Sequence, residues 1–488
     1  MAGIGFKLRQ AFERDTYLDN IRATAFSSTI AGGPIFFSIL CLILLGIFSS
    51  AFISSDEMRV FVVTVVYVFA FSLISTGISQ LLITRCLSDF IYVNEIQRIL
   101  PTFSSVLALT ILTQLIIGLP FFFIWEMDVL YKLTALMLFI TVGCLWQLMV
   151  FLSAVKNYKI IAAAFVLGLI ISFVLALYLG RKGGLTGFLH GYTIGHLVLL
   201  LILVGRLFIE FKSNEKPELA FIRYFKKMPE LLLIGFCYYA GIWIDKIIFW
   251  FSPEGEQVSS FLYMYSDYDV ATFFAFLTVL PSYTYFLVKV ETDFYQRFRS
   301  FFRSVLNNGT FKEISTQKKR LATSAKESLF GLVKLQGTIT LLCLLFARDL
   351  AAFFHIPVLG TLILEKALIA VFLQMLLLTV MIFMMYFDMK SQLVFVTGVF
   401  LSANILFTLL SLNFGYIYYG YGYLVACLLS LVFWLYPPQP PRLEPGIPHL
   451  CQPAAGWKVG ARHAVPLRKT RIIQTFAISA VNYSDNPE

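Results

Sequence analysis

Apolar residues along this chain gather into long runs, each about the 20 residues that a bilayer-spanning helix needs, with short polar links between them. The runs lie near 28–52, 60–83, 103–125, 130–154, 159–179, 185–208, 229–251, 270–290, 328–347, 361–387, 392–412 and 416–436. The pattern predicts an all-α polytopic membrane protein with about twelve transmembrane helices. The fifth and ninth runs are short and the least sharply drawn. The links alternate in charge. One set holds Arg85, Arg98, Lys156 and Lys159, then Lys212, Lys216, Arg223, Lys226 and Lys227, then Arg297, Arg299, Arg303, Lys312, Lys318, Lys319 and Arg320. The other set holds Asp56, Glu57, Glu126, Asp128, Glu254, Glu256, Asp267 and Asp269, with Arg181 and Lys182 as its one exception. Basic links face the cytoplasm, so both termini are expected there. The charged link at 209–228 separates six spans (1–208) from six (229–436). That division suits two six-helix bundles facing each other around a central cavity.

Composition agrees and narrows the class. The chain is 59% apolar and 14% charged, where soluble domains carry roughly 25% charged residues. The net charge of +10 sits in short interhelical links rather than in a nucleic-acid patch. Seven cysteines form no CxxC pair and mostly lie in apolar runs, which predicts neither metal nor disulfide framework. Asn308-Gly309-Thr310 matches a glycosylation acceptor, but in a link expected in the cytoplasm. Lys7, Arg9, Arg14 and Arg22 precede the first run with no cleavage signature, so that span is expected to stay attached. Residues 437–488 hold 9 of the 17 prolines and read as a disordered or aberrant tail. A polybasic, lipid-facing segment at Arg468, Lys469 and Arg471 is the less favoured alternative there.

No catalytic motif appears. GxxxxGK[ST], HExxH and GxSxG are all missing, so no enzyme activity, cofactor or metal is expected. His190 and His196 are six residues apart, on different helix faces, and are expected to pack or line a path. The sharpest polar feature is Asp245-Lys246 inside an apolar run. Each costs roughly 2.5–3.5 kcal/mol at a helix centre on insertion scales. Helical spacing groups Asp245 with Tyr238 and Gly241, and Lys246 with Tyr239 and Trp243. Two readings stand: contacts to substrate or coupling ion, or a site near the outer interface with Lys246 snorkelling. Gly32, Gly33 and Pro34 suggest a kinked, gating first helix. Lys289, Glu291, Asp293 and Arg297 form a candidate cytoplasmic gate, with i,i+4 pairs at Lys289–Asp293 and Asp293–Arg297. Gln80, Gln114, Gln147, Gln374 and Asn404 are lone amides expected to bond between helices.

These residues also carry a resemblance. The chain starts MAGIGFKLRQ, and Tyr17 and Arg22 precede AGGPIFFSI. It continues with GIWIDKIIFWFSPEG at 241–255, YDVATFFAFLTVLP at 268–281 and FLVKVETDFYQRFRSFF at 286–302. Over residues 1 to about 436 this ordered set resembles the PelG family, within the multidrug, oligosaccharidyl-lipid and polysaccharide flippase superfamily. The resemblance implies two bundles in a V and alternating access. It implies export of the Pel exopolysaccharide across the bacterial inner membrane during biofilm matrix synthesis. It also implies a cytosolic glycosyltransferase, PelF, and membrane partners PelD and PelE, of which PelD senses cyclic di-GMP. No residue roles come with it. The tail departs from the family, as a frameshift or assembly error would produce. A non-transporting scaffold anchoring the glycosyltransferase through 209–228 and 291–327, and a small-molecule multidrug antiporter, are the competing readings.

Overall fold

The computed structural model describes residues 33–436 apart from 50–51, 94, 154–157, 212, 214–218, 220, 260 and 355. Gly32 and the tail at 437–488 therefore lie outside the described residues. The first group of helices is α1 (Gly33–Ser49), α2 (Ser55–Val93), α3 (Ile99–Phe123), α4 (Val129–Leu152) and α5 (Tyr158–Glu210). A short α6 (Ile222–Lys227) leads into α7 (Pro229–Trp250). Then come α8 (Ser266–Leu277), α9 (Leu280–Val288), α10 (Tyr295–Leu306), α11 (Phe311–Leu345) and α12 (Ala347–Phe353). The last three are α13 (Val358–Tyr386), α14 (Lys390–Phe414) and α15 (Tyr421–Leu435).

Among the described residues, nine helices are long and apolar enough to cross a membrane. They match the twelve apolar runs once three local features are counted. The first run is described only from Gly33 onward, leaving 17 residues in α1. The fifth and sixth runs share one element, α5, which reverses at Gly184 (φ 57°, ψ −144°). That left-handed backbone suits glycine, which has no Cβ to clash. The two arms then pack with Gly187 against the Leu179 carbonyl, Gly191 against Leu175 and Gly195 against Ser172, leaving no room for a side chain. The eighth run is broken. Helix α8 ends at Leu277 and α9 begins afresh at Leu280, because Pro281 cannot donate the backbone bond that would continue the helix.

The eighth and ninth spans also continue past their apolar stretches. A π-helical turn at Lys289–Phe294 carries α9 into α10, and α11 starts at Phe311 rather than near 328. Thr310 caps α11, its Oγ1 accepting from the Glu313 amide at 3.3 Å. A further departure from the all-helical expectation is an antiparallel hairpin between α7 and α8, formed by β1 (Glu256–Ser259) and β2 (Leu262–Met264).

Three apolar cores form among the described residues. The largest runs across both groups, joining Phe61 and Tyr67 of α2 to Trp250 of α7 and Tyr268 of α8. A second gathers Phe103, Leu148, Phe165 and Leu203 from α3, α4 and α5. Another gathers Ile234, Leu377, Val396 and Phe400 from α7, α13 and α14, and Leu82 of α2 enters it. Between the groups, α2 packs along α7, the β-hairpin and α6. The crossing of α2 and α7 is tight. A Cβ on Gly235 would strike the Gly77 carbonyl oxygen, and a Cβ on Gly77 would strike the Tyr239 ring.

Forcing a side chain into such a contact costs about 1–3 kcal/mol. Gly235→Leu is therefore expected to lower the thermal unfolding midpoint in detergent by several degrees. Gly205→Leu, whose Cβ meets open space, is the control and should leave the midpoint nearly unchanged. Equal midpoints for the two variants would refute this account of the crossing.

Candidate functional site

Helix α7 has two faces, and its side chains sort between them at helical spacing. Towards the C-terminal group, the Tyr238 hydroxyl accepts from Gln374 Nε2 at 2.9 Å. The Gly241 carbonyl accepts from Asn404 Nδ2 at 2.9 Å, and Asp245 Oδ2 accepts from the Tyr268 hydroxyl at 2.7 Å. Towards α2, Gly235 meets Gly77, and the Tyr239 hydroxyl donates to Gln80 Oε1 at 2.7 Å. One end of this second face is Trp250, stacked on Tyr67 at 4.6 Å between centroids and 15° between planes. Trp243 lies 6.4 Å from Trp250, ring to ring.

Lys246 breaks the sorting. Spacing alone gives it different neighbours from Asp245, yet its Nζ lies 3.4 Å from Asp245 Oδ2 and 3.4 Å from the Ile242 carbonyl. The four-carbon stem folds back from the α2-facing side into the C-terminal group. There Nζ sits between the rings of Phe276 at 5.3 Å, Tyr423 at 5.5 Å, Trp243 at 5.7 Å and Tyr268 at 6.0 Å. Aromatic faces attract a cation electrostatically, and more so when water is excluded. Asp245 is fully buried and Lys246 is 7% exposed, so the lysine does not snorkel. Asp245 Oδ1 and the Tyr423 hydroxyl are buried without a hydrogen-bond partner among the described residues. The cluster is thus a charge pair held between α7, α8 and α15, with one carboxylate oxygen unused.

The end of the seam beside the β-hairpin is closed by residues whose pairing the sequence did not signal. Asp269 accepts from Trp250 Nε1 at 2.9 and 3.0 Å and from the Tyr265 amide at 3.2 Å. This holds the indole flat against Tyr67. The Tyr67 hydroxyl in turn donates to the Tyr263 carbonyl at 3.0 Å and accepts from the Tyr263 amide at 3.2 Å. Arg59 of α2 pairs with Glu256 of the β-hairpin. That pair is about half exposed, and such pairs contribute only about 0–1 kcal/mol. The stacked rings and the buried hydrogen bonds therefore dominate the closure. Tyr419 donates to Glu254 at 2.7 Å beside it. Burial raises the Tyr265 hydroxyl above its ordinary range, with Asp267 adding to the shift, so it stays neutral.

The remaining candidates lie elsewhere. Lys289, Glu291 and Asp293 occupy the π turn, where Lys289 Nζ pairs with Asp293 Oδ2 at 3.2 Å. Arg297 follows, exposed on α10, and the Glu291 side chain is outside the described residues. Gly33 and Pro34 stand at the described start of α1. His190 Nδ1 lies 2.7 Å from the Thr186 carbonyl and His196 Nδ1 lies 3.0 Å from the Tyr192 carbonyl, each one turn back on its own helix. The lone amides bond between helices as expected. Gln114 donates to Ser75 at 2.8 Å, Gln147 donates to Ser79 at 2.7 Å, and Gln80, Gln374 and Asn404 make the α7 contacts above.

Helices in two bundles meeting along one seam give this chain a fold similar to that of solved MATE transporters. An outward-facing multidrug resistance MATE transporter of the MOP superfamily superposes with TM-score 0.60 at 12% identity, over 84% of this chain and 92% of that one. A mutant of the Vibrio cholerae MATE transporter VcmN gives TM-score 0.60 at 12% identity, over 88% and 97%. A MOP superfamily transporter from Pyrococcus furiosus gives 0.56 at 12%, over 84% and 94%. These likenesses concern fold. The family comes from the sequence: residues 1–436 match PelG, described as an exopolysaccharide exporter (EPS-E), and the chain belongs to that family. No curated protein matches the chain.

Removing one partner of a buried ion pair costs about 3–5 kcal/mol, whereas replacing both with neutral groups is often tolerated. Asp245→Asn alone should therefore destabilise the protein strongly, and Asp245→Asn with Lys246→Met should recover most of the loss. Thermal unfolding of the two variants in detergent checks this. A double variant as unstable as the single one would mean that the pair is not energetically coupled.

Proposed function

We propose that this protein exports the Pel exopolysaccharide across the bacterial inner membrane by alternating access, with both termini in the cytoplasm. The halves 1–208 and 229–436 rock about the linker 209–228, opening a path between them to each side in turn. The seam carries this reading. It is closed at the outer end by Tyr67, Trp250, Tyr263 and Arg59–Glu256, contacts that are small enough to part and re-form. Membership of an exopolysaccharide-exporter family supplies the cargo class. An amino-sugar polymer needs aromatic faces and polar groups along its path, and Tyr238, Tyr239 and Trp243 flank the seam beside Asp245 and Lys246.

In this reading Asp245–Lys246 is a coupling or substrate-sensing pair, because Lys246 is rooted on the α2-facing side of α7 yet anchored within the C-terminal group. The π turn with Lys289, Glu291, Asp293 and Arg297 is the inner gate. PelF supplies polymer from the cytosol, and PelD and PelE are the membrane partners. The scaffold reading asks nothing of the outer closure, and a drug antiporter would leave polymer export intact when it is lost.

Locking the closure separates these readings. Arg59→Cys with Glu256→Cys, in a cysteine-free background, should be bridged by a reducible bis-methanethiosulfonate reagent that spans the reach of the two lost side chains. Polymer export should then fall at least tenfold and return on reduction. Full export with the bridge formed would overturn alternating access through this seam. The Asp245→Asn/Lys246→Met variant, inserted normally, is expected to lose export as well. Unchanged export in that variant would remove the pair from the mechanism.

A further inference from the structure

Beyond the membrane the eighth and ninth spans build a structure of their own. Helices α10 and α11 pack as an antiparallel hairpin, and α11 runs from Phe311 for more than four turns before reaching its apolar stretch. At 1.5 Å per residue that reach is about 25 Å. The hairpin is fixed at its base. Phe298 packs on Phe302 at 4.5 Å, on Tyr386 at 5.1 Å and on Phe387 at 6.1 Å, the last two at the end of α13.

Its outward surface has a different character. Arg297, Arg299 and Arg303 of α10 and Lys312, Lys319 and Arg320 of α11 are exposed. Among them Phe311 stands 89% exposed at the start of α11, with Leu306 of the same tip 48% exposed. Exposed arginines and an exposed aromatic side chain on one hairpin are the residue types enriched at protein interfaces. Bilayer headgroups are poorly placed to meet the tip that carries Phe311. The surface potential of a membrane fades within a Debye length, about 8–10 Å, well short of the hairpin's tip.

We infer that this hairpin is a docking prong for the acidic surface of a cytosolic protein, Phe311 entering an apolar pocket and the arginines pairing with carboxylates around it. The inference rests on the cytoplasmic orientation proposed above and is independent of the transport cycle.

The test uses the full chain in cells that make polymer. Ser315→Cys, exposed on the prong, reports sidedness by itself. It should react with an impermeant maleimide in inverted vesicles and not in intact spheroplasts, and the reverse would overturn the inference. A benzophenone amino acid at Phe311 should then give one photoadduct, with a soluble protein of acidic isoelectric point. In the Arg299→Glu/Arg303→Glu/Arg320→Glu variant, inserted normally, that adduct should fall at least tenfold and polymer export should fall with it. The export-deficient Asp245→Asn/Lys246→Met variant should keep the adduct, so docking and transport fail separately. An adduct with lipid, nucleic acid or a second copy of this chain, or one indifferent to charge reversal, would sink the proposal.

Discussion

Inside a bilayer, apolar side chains gain little by leaving lipid for one another, so helices associate through close backbone approach and interhelical hydrogen bonds. The join between the two groups of this protein obeys that constraint. At Gly77 and Gly235 the α2 and α7 backbones meet with no side chain between them. On either side of this bare crossing the contacts turn polar or aromatic. Gln80–Tyr239 lies one turn away, Tyr67–Trp250 closes the end beside the β-hairpin, and Tyr224–Asp89 lies at the opposite end at 3.1 Å. Were the crossing wider, none of these pairs would reach.

The charge pair on α7 is expensive to bury and close to the seam. Its aspartate belongs to the C-terminal group by position, and its lysine belongs there only by the bend of its stem. A buried pair of this kind adds little net stability, but it penalises any arrangement that separates its members. Because Asp245 is tied to Tyr268, and the next residue, Asp269, holds Trp250 against Tyr67, the pair and the Tyr67–Trp250 closure share the first turn of α8. A shift of α8 would disturb both together.

Much of the architecture was legible from apolar run lengths, because a bilayer imposes one requirement on every span. The two faces of α7 followed from helical periodicity, and the interhelical bonds of the lone amides from the cost of an unpaired amide in lipid. What escaped had physical causes. The strands at 256–264 are too short to show alternation. The break in the eighth span was signalled by Pro281 and could have been read. The extensions of α10 and α11 are polar helices, which leave no apolar run to find. The fold-back of Lys246 depends on a side-chain conformer that spacing cannot specify, and the Tyr67–Trp250 stack joins residues far apart in the chain.

The reversal at Gly184 has a mechanical meaning. Below it, Gly187, Gly191 and Gly195 set the two arms of α5 backbone against backbone at every turn. Arms joined in this way cannot slide or spread without losing these contacts. They should behave as one stiff beam, so that a displacement at the end near Glu210 arrives at the Gly184 end with little loss. The N-terminal group would then move as a lever, its leverage set by the length of α5.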